Sequence, residues 1–168
     1  MMKKLLLGAL ALLAIASVIV VPRMPSMLGA NANAADLSID ATAIDWYMLA
    51  GLDPWSGEIS TELAALDGQL VQLPGYVVPL EDDATKIPEF LLVPYVGACV
   101  HLPPPPPNQM VYVKMAPGTS VEVEWWGWDP VWIVGRLAIT SYESPWGAVG
   151  FTMEGLGSGV FTWEEDAS

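Results

Sequence analysis

The chain has 168 residues and a formal net charge of −13, with 19 acidic residues against six Lys and Arg. Nucleic-acid binding draws most of its affinity from Lys and Arg that neutralise phosphates, so a chain this acidic is not expected to bind nucleic acid. Its one cysteine, Cys99, has no intramolecular partner for a disulfide, so the fold must be held by its apolar core.

The N-terminus has the pattern of a secretion signal. Two lysines precede residues 5–21, which carry no charge, and residues 32–34 (Ala-Asn-Ala) match the A-x-A site of signal peptidase. We therefore predict a signal peptide over residues 1–34, with residues 30–32 as the second choice of site, and a periplasmic or secreted protein without a membrane span. The alternative is an anchor formed by an uncleaved N-terminal helix, because a bilayer span needs roughly 17 to 25 apolar residues.

The mature chain begins with a segment of mixed pattern. Residues 35–65 predict a loose N-terminal arm, because Gly51, Pro54 and Gly57 interrupt the helical spacing of its apolar residues. Residues 58–66 predict one helical turn before the turn signal at Asp67 and Gly68.

The next part of the chain has the pattern of β-strands. Short runs of apolar, β-branched and aromatic residues predict five strands: 70–80, bent at Pro74 and Gly75, then 90–93, 110–115, 120–128 and 132–139. Five short strands without a helical repeat predict an all-β domain over residues 66–163, a small OB-like Greek-key barrel, with a β-sandwich as the alternative. Residues 148–163 predict one further strand or hairpin at the rim, and residues 164–168 an acidic tail.

Alternation predicts that the fourth and fifth strands form a hairpin. A three-residue connection over residues 129–131 keeps the apolar residues of both strands on one face. This register pairs Trp128 with Trp132, Glu124 with Arg136, and Trp125 with Gly135 across the sheet.

The loop after the second strand holds the only Cys and the only His of the chain, Cys99 and His101. In extended backbone this spacing puts both side chains on one face, within reach of one zinc or copper ion. A buried thiol and a hydrogen-bonded imidazole without metal are the alternative. A thiol hydrolase is a third interpretation, although no Asn or Asp partner for a catalytic constellation is visible, so no catalytic residue is predicted.

Two aromatic or proline-rich segments are candidates for partner contacts. The prolines that follow the Cys-His pair form a rigid extended strut, which either packs on this domain's own aromatic rings or docks on a partner. Outward Trp126, Trp128 and Trp132 form a possible partner surface, unless the N-terminal arm covers it. The predicted binding loop comprises Cys99, His101, Pro103, Pro104, Pro105, Pro106, Pro107, Asn108 and Gln109.

Three segments resemble a known family of exported bacterial proteins, domain of unknown function 3299. They are LDGQLVQLPGYVVPLE, FLLVPYVGACVHLPPPPPNQMVYVK and DPVWIVGRL, and together they cover most of residues 66–140. The resemblance implies an OB-like fold, an envelope location and no established activity. Relatives encoded near membrane permeases and zinc-responsive envelope proteins imply accessory duty in metal handling or transport. Carried over by motif, the positions to test are Cys99, His101, Asn108 and Gln109.

These observations predict a non-catalytic envelope accessory protein. Its loop at residues 99–109 is expected to engage a zinc or copper ion or an envelope transport complex. A metal-free structural module for protein interaction is the alternative. After cleavage only Lys86, Lys114 and Arg136 remain as basic residues, so partners are expected to be neutral, cationic or metallic.

Overall fold

The computed structural model describes residues 40–80, 86–96, 104–122, 129–145 and 147–160. The predicted signal peptide and acidic tail lie outside these ranges. The helices are α1 (Trp46–Leu49) and α2 (Thr61–Ala64), and a 3₁₀ turn covers Pro107–Gln109. In chain order the strands are β1 (Thr42–Ala43), β2 (Leu70–Pro79), β3 (Lys86–Ile87), β4 (Glu89–Val93), β5 (Val111–Met115), β6 (Val121–Glu122), β7 (Val131–Ala138), β8 (Tyr142–Ser144), β9 (Gly147–Val149) and β10 (Phe151–Val160).

Five of these strands close into a barrel. Their order is β2-β4-β5-β10-β7, and β7 pairs back onto β2. Neighbouring strands in the barrel are antiparallel except β5 and β10, which run parallel. A mixed, closed barrel of five strands is the OB-like architecture, so the predicted all-β barrel is confirmed.

Strand β2 bends where the sequence predicts it. Residues 70–75 pair with β7, whereas residues 76–79 pair with β4. A Cβ on Gly75 would lie 2.8 Å from the carbonyl oxygen of Val93, so a side chain at this position would block the approach of β4. Strand β2 therefore bends at Gly75 and pairs with β7 before the bend and with β4 after it.

The sequence pattern predicts the C-terminal strand at the rim, but in the structure this strand is part of the barrel wall. Strand β10 pairs with β5 on one edge and with β7 on the other. Its glycines disfavour a strand by intrinsic propensity, yet they make close packing possible, since a Cβ on Gly155 would meet the Met115 side chain. Phe151 and Met153 of this strand lie in the core.

The predicted hairpin register is also wrong. Both edges of β7 are occupied by β2 and β10, so Gly135 has Val71 and Gly155 as its neighbours across the sheet. The predicted partners Glu124, Trp125 and Trp128 lie outside the described residues, but the edges of β7 at which they are predicted to pair are occupied by β2 and β10. Strand β6, the described beginning of the predicted fourth strand, pairs instead with β3.

The described part of the N-terminal arm is packed, not loose. Strand β1 runs parallel to β2, and the arm adds apolar residues to the core cluster of the barrel. Leu49 of α1 and Leu63 of α2 are both 0% exposed. Each four-residue helix is capped, since Asp45 Oδ1 accepts from Met48 N at 2.9 Å and Ser60 Oγ accepts from Leu63 N at 3.2 Å. The core residues of the arm are Ile44, Leu49, Leu52 and Leu63.

Candidate interaction site

The end of the proline-rich loop binds the arm. Asn108 Nδ2 donates to the carbonyl oxygen of Leu52 at 2.8 Å, and Gln109 Nε2 donates to that of Trp46 at 3.2 Å. Gly150 N also donates to the carbonyl oxygen of Pro107, at 2.8 Å. These bonds hold the arm against the barrel, so the two amide side chains already have a structural task within the chain.

The structure describes the predicted binding loop in part. Pro105 is buried, Pro104 and Pro106 are exposed, and Pro107 begins the 3₁₀ turn. This alternation fits a strut that packs one side on its own domain. Cys99, His101 and Pro103 lie outside the described residues, so the predicted metal pair remains a prediction.

The predicted tryptophan surface is described at one position. Trp132 is half-buried and pairs across the sheet with Pro74, whose carbonyl oxygen accepts a hydrogen bond from Trp46 Nε1 at 2.7 Å. The arm thus reaches the strand pair that carries Trp132. Trp126 and Trp128 lie outside the described ranges.

A feature that the sequence analysis missed is a surface cleft in the arm. Its volume is about 470 Å³, and it lies between residues 50–60 and Asn108. Trp55 lines this cleft with 94% of its surface exposed, and Ile59 beside it is 44% exposed. Trp55 and Ile59 together expose apolar surface along one cleft, and neighbouring exposed apolar side chains of this kind mark a candidate contact surface.

The turn that carries Trp55 is held by hydrogen bonds. Asp53 Oδ1 accepts from Trp55 N at 2.7 Å and from Ser56 N at 3.0 Å. Hydrogen bonds from Ser56 N, and then from Trp55 N, hold the pKa of the Asp53 carboxyl below its ordinary value. Asp53 N donates to the Glu58 carbonyl oxygen at 2.8 Å, and Gly57 adopts a φ of 74° that favours glycine. The signal for this turn was present in the sequence as Asp-Pro-Trp-Ser-Gly, a turn pattern around an aromatic residue.

The surface around the cleft is acidic. Residues 40–68 contain no Lys, Arg or His, and all six of their acidic side chains are exposed. Within the part of the chain that the structure describes, none of the six forms an ion pair with a basic side chain. The acidic residues are Asp40, Asp45, Asp53, Glu58, Glu62 and Asp67.

A second polar group lies on the outer face of the barrel. Glu89 accepts from Tyr112 Oη at 2.7 Å and pairs with Lys114 Nζ at 2.6 Å, and the rings of Tyr112 and Tyr142 stack with centroids 4.0 Å apart. The bond from Lys114, and then that from Tyr112, lowers the pKa of Glu89. Burial, and then the Glu89 carboxylate, raises the pKa of Tyr112, so the phenol stays protonated as a donor. This arrangement joins β4, β5 and β8, and a phenol held in its protonated form is unsuited to act as a base.

Two further features bear on the predicted chemistry. Over the described ranges, no group of three or more His, Cys, Asp and Glu side chains is arranged to hold a metal ion. Within the same ranges, no helix is long and apolar enough to cross a membrane.

The chain resembles the crystal structure of a DUF3299 family protein from Pseudomonas aeruginosa PAO1, with 31% sequence identity and a TM-score of 0.59. The match covers 74% of this chain and 98% of that one. No curated protein matches significantly. The family model described as "Protein of unknown function (DUF3299)" matches residues 56–157, so this chain belongs to the DUF3299 family.

Proposed function

We propose that the chain is a non-catalytic accessory protein of the cell envelope that binds another protein through the surface around Trp55. One observation carries this proposal: Trp55 is 94% exposed on a turn whose backbone is fixed by the Asp53 carboxylate. Tryptophan is enriched among the residues that dominate binding energy at protein interfaces. A pre-formed turn reduces the conformational entropy that binding would otherwise cost.

The proposed location rests on the sequence. A positively charged start, an apolar stretch and an A-x-A site are the signature of a secretion signal, so the mature protein is expected to start near Ala35 in the periplasm or outside the cell. In the envelope, the surface around Trp55 would face other exported or membrane-bound proteins.

The proposal is tested by crosslinking in the cell that produces the protein. A photoreactive aromatic amino acid replaces Trp55, and in a matched control it replaces Tyr95, which is 42% exposed and lies just after β4. We expect one discrete crosslinked product from position 55 and none of the same size from position 95. Equal products from both positions, or none from position 55, would contradict the proposal. Mass spectrometry of the recovered protein also reads its N-terminus, and an intact Met1 would contradict cleavage.

A second candidate function is metal handling through Cys99 and His101. It is supported by the spacing of the sole thiol and the sole imidazole beside the proline strut. If the pair binds zinc or copper(I), affinity falls as the pH is lowered, because thiolate and neutral imidazole are the ligand forms and both protonate. Titration of either metal into the mature protein should then show uptake that Cys99→Ser and His101→Ala both weaken. Full affinity in both variants would exclude the pair as ligands, and no uptake by the parent protein would exclude an intrinsic site.

A further inference from the structure

The side chains that line the cleft beside Trp55 offer mainly hydrogen-bond acceptors. Asp53 and Glu58 contribute carboxylates, and Asp53 Oδ2 takes no part in the two bonds that Oδ1 accepts from the turn. Asn108 uses its amide nitrogen on Leu52, and its Oδ1 is shielded from solvent, so the acceptors that a ligand can reach are the two carboxylates. The cleft is therefore suited to a ligand that donates several hydrogen bonds.

The acidic surface around the cleft favours a ligand with a positive charge. Asp53 and Glu58 belong to the acidic segment 40–68, which has no basic residue of its own. Neither carboxylate is paired with a Lys or Arg from elsewhere in the described chain. An incoming cation would meet two exposed carboxylates at once, whereas an anion would be repelled by both.

The aromatic residue narrows the choice among cations. A guanidinium group is planar, carries five N–H donors and stacks on the face of tryptophan, the best of the aromatic rings for such contacts. An ammonium group is a compact and strongly hydrated point charge, which stacks less well and gains less from leaving water. Trp55 beside two carboxylates therefore fits a guanidinium better than an ammonium.

The exposed apolar side chains at the rim of the cleft, Trp55 and Ile59, favour a guanidinium that belongs to a polypeptide. Trp55 and Ile59 leave 94% and 44% of their surfaces in solvent, more apolar area than one small cation would cover. Residues on either side of an arginine in a peptide would cover that rim. We propose that the cleft receives an arginine side chain of a partner protein, with the guanidinium stacked on Trp55 and bound by Glu58 and Asp53. This inference rests on the proposed function and specifies the partner's chemistry.

The experiment uses the mature protein and a terminally blocked peptide with one arginine between small apolar residues. Binding is followed by NMR through the indole signal of Trp55 and the side-chain amide of Asn108. The matched probe is the same peptide with citrulline, which keeps the shape and removes the charge. We expect saturable shifts with the arginine peptide and binding that is about tenfold weaker with citrulline. The affinity of a lysine peptide should lie between those of the arginine and citrulline peptides.

Variants separate the cleft from the general charge of the arm. Glu58→Gln should weaken binding of the arginine peptide several-fold, whereas Glu62→Gln, at an exposed residue of α2 outside the cleft lining, should not. Equal weakening by both variants would overturn the cleft as the site. Equal binding of arginine and citrulline peptides, or no shift at Asn108 and Trp55, would overturn the guanidinium. Free arginine amide that binds as tightly as the peptide would assign the cleft to a small cation and overturn the peptide. The crosslinking test at position 55 in the cell is independent of these peptide measurements. If it gives the discrete product while any of these outcomes is found, the proposed function stands and only this inference is overturned.

Discussion

Replacement of Gly135 by alanine is expected to lower the free energy of unfolding by about 3 kcal/mol. A Cβ on Gly135 would clash with the carbonyl oxygen of Glu154 and lie 2.7 Å from Met153 Cγ. Glu154 lies in β10, which pairs with β5 on one edge and with β7 on the other. Its backbone therefore cannot move away without loss of barrel pairing. Urea denaturation followed by far-UV circular dichroism measures the change.

Gly159→Ala is the matched control for this substitution. Gly159 lies in β10, and apart from its chain neighbours no atom of the described residues stands within 4 Å of the Cβ that it would acquire. We expect its free energy of unfolding to change by less than about 1 kcal/mol. Equal effects of the two substitutions would show that the close approach of β7 and β10 does not limit the side chain at position 135.

Replacement of Leu49 by alanine is expected to lower the free energy of unfolding by about 2 to 5 kcal/mol. Leu49 is 0% exposed and belongs to the same core cluster as the barrel strands, so truncation leaves a cavity next to them. The measurement is again denaturation of the mature protein, with a single transition expected because arm and barrel share one core.

Ile59→Ala, in the same arm, controls for the general loss of apolar surface. Ile59 is 44% exposed, so its truncation should cost about 1 kcal/mol or less. A Leu49→Ala protein that is no less stable than the Ile59→Ala protein would mean that the arm is loose in solution, as the sequence pattern alone suggests.

The site shows where inference from sequence stopped. Cys and His occur once each in this chain, and their rarity is why Cys99 and His101 stand out in the sequence. Asn108 and Gln109, predicted in the same loop, hold the arm. The cleft beside Trp55 was missed, because it forms only when residues 50–60 come to lie against Asn108, more than 45 residues later in the chain. A turn pattern around a tryptophan was visible in the sequence, but exposure of its ring was not.

The sequence by itself determined the class of fold and most of the barrel strands. Alternation of apolar residues depends on the immediate neighbours along the chain, and it placed β2, β4, β5 and β7 to within a few residues, including the bend at Gly75. Local pattern also predicted one helical turn before residue 67, where α2 lies.

Only the tertiary structure decided which strands are neighbours. The pairing of Gly135 with Val71 and Gly155, rather than with Trp125, depends on long-range contacts that no local alternation encodes. The same holds for β10, whose glycines lower its strand propensity but allow close packing against β5 and β7, and for the arm, whose short apolar pieces form no periodic pattern. Burial against distant parts of the chain outweighs weak local preference in each case, and those distant partners are set by the fold as a whole.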